Sequence, residues 1–83
     1  MTYLWYPAMQ IDMHVLDHQP NHFLWHTRLH RVRHITKHWR VDVEWWRLRI
    51  WRDYYKLTTD TGLLVIVYRD LLDDRWYLQQ LFD

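Results

Sequence analysis

Residues 54–68 read YYKLTTDTGLLVIVY, and this stretch decides the fold. Its two arms, 54–59 and 63–68, are rich in β-branched and aromatic residues, which suit a pleated, half-buried surface. Between them lie Asp60, Thr61 and Gly62, the last being the only glycine of the chain. A type I turn that needs φ > 0 at its final position would place Gly62 there and close a hairpin with a bulge. Asp60 and Gly62 are therefore expected to be the structural turn residues.

Downstream, 70–82 reads DLLDDRWYLQQLF and admits two readings. Asp70 can act as the N-cap of a helix with Asp73 three residues on. Alternatively, Leu72, Asp73 and Asp74 turn the chain into a strand at 76–82. Periodicity does not separate the two for so short a run. The strand would cover an edge of the 63–68 strand, which favours it on burial grounds.

Upstream, the apolar residues of 29–39 fall at Leu29, Val32, Ile35 and Trp39, a helical spacing. The composition, His, Val, Thr and Ile, is poor for a helix. A strand with a bulge between Val32 and Ile35 explains the same pattern. A short partner strand at 23–25 and a turn at 26–28 complete a second hairpin. The expected fold is all-β: a small antiparallel meander of about five strands, curled into an open SH3-like barrel. Residues 20–83 form this β-domain, and 1–19 form an N-terminal extension that can add one strand at 11–16.

The chain has 83 residues and no cysteine, so one domain is expected, without a disulfide framework or a thiolate zinc site. Its seven tryptophans offer a substitute. Each large aromatic can bury about 150–250 Å², worth at most about 4–6 kcal/mol. The start lacks the basic and apolar regions of a signal peptide, and no apolar run could span a bilayer. A cytoplasmic location with no membrane partner is the expectation.

The net charge of +1 hides an asymmetry. Residues 26–56 hold nine Lys/Arg against three Asp/Glu, whereas 57–83 hold two against five. Such a belt can be a binding face or half of a self-complementary sheet. Within it, Trp39, Trp45, Trp46 and Trp51 alternate with Arg40, Arg47, Arg49 and Arg52, a pattern that suits stacking on bases and pairing with phosphates. The plainer reading takes the tryptophans as core. The seven histidines recur at every fourth position from His14 to His38. On a strand, Cα atoms four residues apart lie about 13 Å from one another, too far to share an ion, so no metal is expected. No paired carboxylates, phosphate loop, nucleophile elbow or Cys–His pair occurs, so neither catalysis nor a cofactor is expected.

Several short patterns resemble a bacterial domain of unknown function. They are Pro20, Phe23 and Trp25; Val32, Ile35, Trp39 and Arg40; Trp45 and Trp46; Arg52, Tyr54 and Tyr55; Tyr68 to Leu71; and Arg75 to Leu78. That domain occurs alone and at the C-terminal end of Y-family polymerase-like proteins of the SOS mutagenesis complex. The resemblance covers about residues 20–83, and an aspartate-rich turn follows Leu72 where the family pattern has a glycine. It implies strand–turn–strand over 70–82 and a non-catalytic accessory role near error-prone DNA synthesis. It carries over no catalytic residue. The expected function is docking to a protein partner through Trp45, Trp46, Arg47 and Arg49. The alternative is single-stranded nucleic acid binding that draws on Arg31, Arg33, Lys37, Arg40 and Arg52.

Overall fold

The computed structural model describes residues 2–82, the Trp45 side chain excepted. Six strands follow one another: β1 (Thr2–Leu16), β2 (Gln19–Trp25), β3 (Arg28–Trp45), β4 (Leu48–Thr59), β5 (Leu64–Asp70) and β6 (Arg75–Phe82). Each is antiparallel to the next, and β1 pairs with β6 to close the ring. The all-β meander is therefore as expected. The strands number six where about five were anticipated, and the barrel is closed where an open one was. β1 accounts for both differences, because Thr2–Leu4 and Met9–Ile11 pair with β6 while 12–16 pair with β2.

The turns explain why the strands end where they do. Gly62 N–H donates to the Thr59 carbonyl at 3.1 Å, Thr59 N–H to the Leu63 carbonyl at 2.9 Å, and Gly62 sits at φ 88°. This is a type I turn closed by a left-handed glycine. The β5–β6 loop is built from aspartates. Asp70 Oδ1 accepts from Leu72 N–H at 3.0 Å, Asp73 Oδ1 accepts from Arg75 N–H at 3.0 Å, and Asp74 takes the left-handed position at φ 58°. Short acidic side chains bond their own backbone and tolerate that conformation. Asp70 thus caps a turn, and the helix reading of 70–82 gives way to β6. Two-residue tips at Asp17–His18 and His26–Thr27 have both residues at positive φ, as in type I′ hairpins.

The core follows from strand alternation. Phe23, Leu57, Val65, Val67 and Leu78 are fully buried, joined by Ile11, Tyr55, Trp76 and Leu81. Trp76 is the one tryptophan buried in this cluster among the described residues, and Trp5 and Trp25 pack on it half-buried. The core is thus mostly aliphatic, which the tryptophan-rich composition did not suggest. Two bulges in β3, between Val32 and His34 and between Ile35 and Lys37, bend it around this core.

Candidate docking ribbon

β3 and β4 are longer than the wall of the barrel. β3 pairs with β2 no further than Arg31, and β4 pairs with β5 only from Arg52 to Thr58. Beyond those limits the two strands pair only with each other, so 41–51 projects as a two-stranded ribbon. Its tip is a two-residue turn, with Trp45 opposite Leu48 and Trp46 at φ 56°.

Period-2 alternation gives the ribbon two unlike faces. One carries Trp39, Val41 and Val43 across from Tyr54, Arg52 and Ile50. The other carries His38, Arg40, Asp42 and Glu44 across from Tyr55, Asp53, Trp51 and Arg49.

On the charged face the cations are already matched. Arg40 Nε donates to Asp53 Oδ1 at 2.7 Å and Nη2 to Oδ2 at 3.1 Å. Asp53 is buried, and the Arg40 hydrogen bonds hold its carboxyl below the usual carboxylate range against the opposing effect of burial. His38 lies 3.7 Å from the same carboxylate and stacks on Tyr55 with ring centroids 4.2 Å apart. Arg49 reaches Asp42 at 3.4 Å and lies over the Trp51 ring at 4.6 Å.

The other face continues onto the barrel as a row of rings. Trp39, Tyr54, Tyr68 and Tyr77 stand directly opposite one another on four successive strands, with centroids 5.1–5.3 Å apart. Lys37 lies 5.2 Å over Trp39, and Arg52 lies 4.5 Å over Tyr68 while donating to the Tyr54 hydroxyl at 3.2 Å. The rings occupy each other's faces, so the row stiffens the sheet more than it offers a surface for incoming bases. Sequence reasoning missed this row. The signal was present in the Gly62 turn, whose register sets Tyr54 against Tyr68.

The expected docking residues meet at the tip. Trp46 is 84% exposed and Leu48 62%. Arg47 is exposed beside them, and Arg49 is two residues further along β4. Trp45 ends β3, and its side chain lies outside the described residues. The nucleic-acid candidates, in contrast, are scattered. Arg31 and Arg33 lie near the 60–62 loop, where Arg31 N–H donates to Asp60 Oδ1 at 3.1 Å. Lys37 and Arg52 share the aromatic face, and Arg40 is on the opposite one. The structure does not bring these five together.

The histidines also divide. His14 and His22 stack across β1 and β2 at 4.5 Å, His26 packs on Trp25, and His34 and His38 are exposed. His30 is buried, with Nδ1 2.6 Å from the Thr61 hydroxyl, which in turn bonds Thr59 at 2.8 Å. This histidine–hydroxyl chain ties the 60–62 loop to β3 and is accounted for by that role. Burial holds the His30 imidazole below its ordinary value. Among the described residues, no three His, Asp or Glu side chains gather closely enough to hold a metal ion. No helix is long and apolar enough to cross a membrane among them either.

Fold and site together define a small closed antiparallel β-barrel with an exposed projecting ribbon. Over 80 residues the chain is 34% identical to Protein ImuB of Caulobacter vibrioides, in two strains, NA1000/CB15N and ATCC 19089. The alignment takes in 80% of this chain and 18% of the relative, so the chain spans less than a fifth of that protein. No family profile and no solved structure matches it.

Proposed function

We propose that this domain is a non-catalytic docking module of bacterial DNA damage tolerance, cytoplasmic, which engages a protein partner through the tip of the β3–β4 ribbon. The observation that carries this reading is the separation of the ribbon from the core. Trp46, Arg47 and Leu48 stand exposed on a hairpin that contributes nothing to the buried cluster. Tryptophan and arginine are the residue types most enriched in binding hot spots. The similarity to ImuB supports an association with DNA damage tolerance.

Nucleic acid draws less support, because Arg40 and Arg49 are paired with Asp53 and Asp42 and the aromatic row is stacked on itself. The two readings separate in one set of measurements. The immobilised domain captures proteins from DNA-damaged bacterial cells, and the bound protein is quantified by mass spectrometry. Trp46→Ala and Arg47→Ala should each reduce the captured partner by about tenfold or more. Oligonucleotides should bind weakly. If capture is unchanged, the tip does not dock. If an oligonucleotide instead quenches tryptophan fluorescence, with a log–log salt slope near about −0.7 per phosphate neutralised, the nucleic-acid reading replaces this one.

A further inference from the structure

One edge of β3 is open. β2 covers it only as far as Arg31, and the two bulges and Lys37 disturb it between Val32 and Lys37. From His38 to Trp45 the register against β4 is regular, and among the described residues no strand pairs with the opposite edge. Unpaired regular edges are templates for another strand.

Hairpin geometry tells which backbone groups this edge presents. A two-residue tip makes Trp45 and Leu48 a hydrogen-bonded pair, so the alternate pair Asp42 and Trp51 points its N–H and C=O groups outward. The hydrogen bond from Leu71 N–H to the Trp51 carbonyl at 2.9 Å, made from outside the ribbon, agrees. By the same alternation Arg40, Asp42 and Glu44 turn their backbone N–H and C=O groups to the open edge of β3.

Residues 39–45 read WRVDVEW, which is close to a palindrome about Asp42. We infer that the open edge of β3 pairs antiparallel with the same edge of a second copy, about a two-fold axis at Asp42. In that register the outward groups of Asp42 meet those of the other Asp42. Arg40 lies opposite Glu44 twice, Val41 opposite Val43, and Trp39 opposite Trp45. Oppositely charged and β-branched cross-strand pairs are the ones that stabilise a sheet. The contact is isologous, so it closes as a dimer and uses this edge of β3 in both copies. Each Asp42 keeps Arg49 at 3.4 Å, which offsets the repulsion between the two carboxylates. Edge geometry and sequence symmetry carry it independently of the docking reading, and the paired segment ends before the 46–47 turn.

Sedimentation equilibrium of the whole chain tests it. The wild type should associate reversibly to twice the monomer mass. Glu44→Arg sets like charges opposite each other at two places and should weaken the dimer by about tenfold or more. Asp42→Asn removes the central repulsion and should tighten it. Asp42→Pro removes an outward N–H and the exposed carboxylate facing Arg49, neither of which the ribbon's own backbone ladder uses, so it should give a monomer whose circular dichroism matches the wild type, since proline is tolerated on a free edge. A wild type that stays monomeric up to about 1 mM, the range of the weakest specific contacts, would overturn the inference. So would a dimer unaffected by both Glu44→Arg and Asp42→Pro. If Asp42→Pro fails to fold, Glu44→Arg and Asp42→Asn decide, because an edge dimer requires them to shift the dissociation constant in opposite directions.

Discussion

Gly62 and His30 show how much the 60–62 loop rests on single residues. An ideal Cβ at Gly62 would meet nothing within 4 Å, so only its φ of 88° opposes substitution. Gly62→Ala should therefore cost on the order of 1 kcal/mol, from backbone strain alone. Urea melts check this, and unchanged stability would mean the loop relaxes at no cost. His30 gives a pH dependence. Burial keeps its imidazole below its ordinary value of 6.5, so the unfolded chain takes up the proton first. Its contribution is present above about pH 6.5 and is lost as pH falls through the lower folded value. Asp53, held down by Arg40, adds a second loss below its ordinary value of 3.8. The melting temperature should decline on acidification from 6.5, and His30→Gln should flatten the upper part of that decline. A melting temperature constant between pH 7 and 5 would show that His30 stays accessible to protons when folded, since a charged His is then as well accommodated as in the unfolded chain.

At the scale of elements, what could be read in the sequence depended on turn chemistry. The β4–β5 hairpin announced itself because Asp60 to Gly62 is recognisable punctuation between β-rich arms. The tip at His26–Thr27 falls in the turn expected at 26–28, whereas those at Asp17–His18 and Trp46–Arg47, which also lack glycine, gave no comparable punctuation. The ribbon was visible for the same reason only as a dense Arg/Trp segment, without the alternation that sends Arg40 and Arg49 to one face and Arg52 to the other. A contrast between two aromatics tests the distinction between sheet and ribbon. Tyr68 is 6% exposed in the stacked row, so Tyr68→Ala should cost about 3 kcal/mol, as for other buried ring truncations. Trp46→Ala should move the melting temperature by less than about 4 °C, as for a surface change in a domain of this size. Equal losses from the two would make the tip part of the core.

For the whole molecule, the meander was legible and its closure was not. Nothing local in 1–19 tells that β1 must pair with both β2 and β6, because closure is a long-range contact between the two ends of the chain. Closure pairs the two ends of the meander, and among the described residues the projecting part of β3 and β4 is paired only within itself. If the ribbon tip is the docking site, 42–51 should be dispensable for folding and required for docking. Because Val41 and Arg52 are register partners, joining them through an Asn-Gly turn removes 42–51 and keeps the β4–β5 pairing of the barrel, at the loss of the bond from Leu71 N–H to the Trp51 carbonyl. The most direct measurement is partner capture by this shortened chain, alongside its thermal melt. It should fold, melt cooperatively and capture none of the protein that the full chain holds. A shortened chain that still captures the partner, or one that no longer folds, would contradict the account.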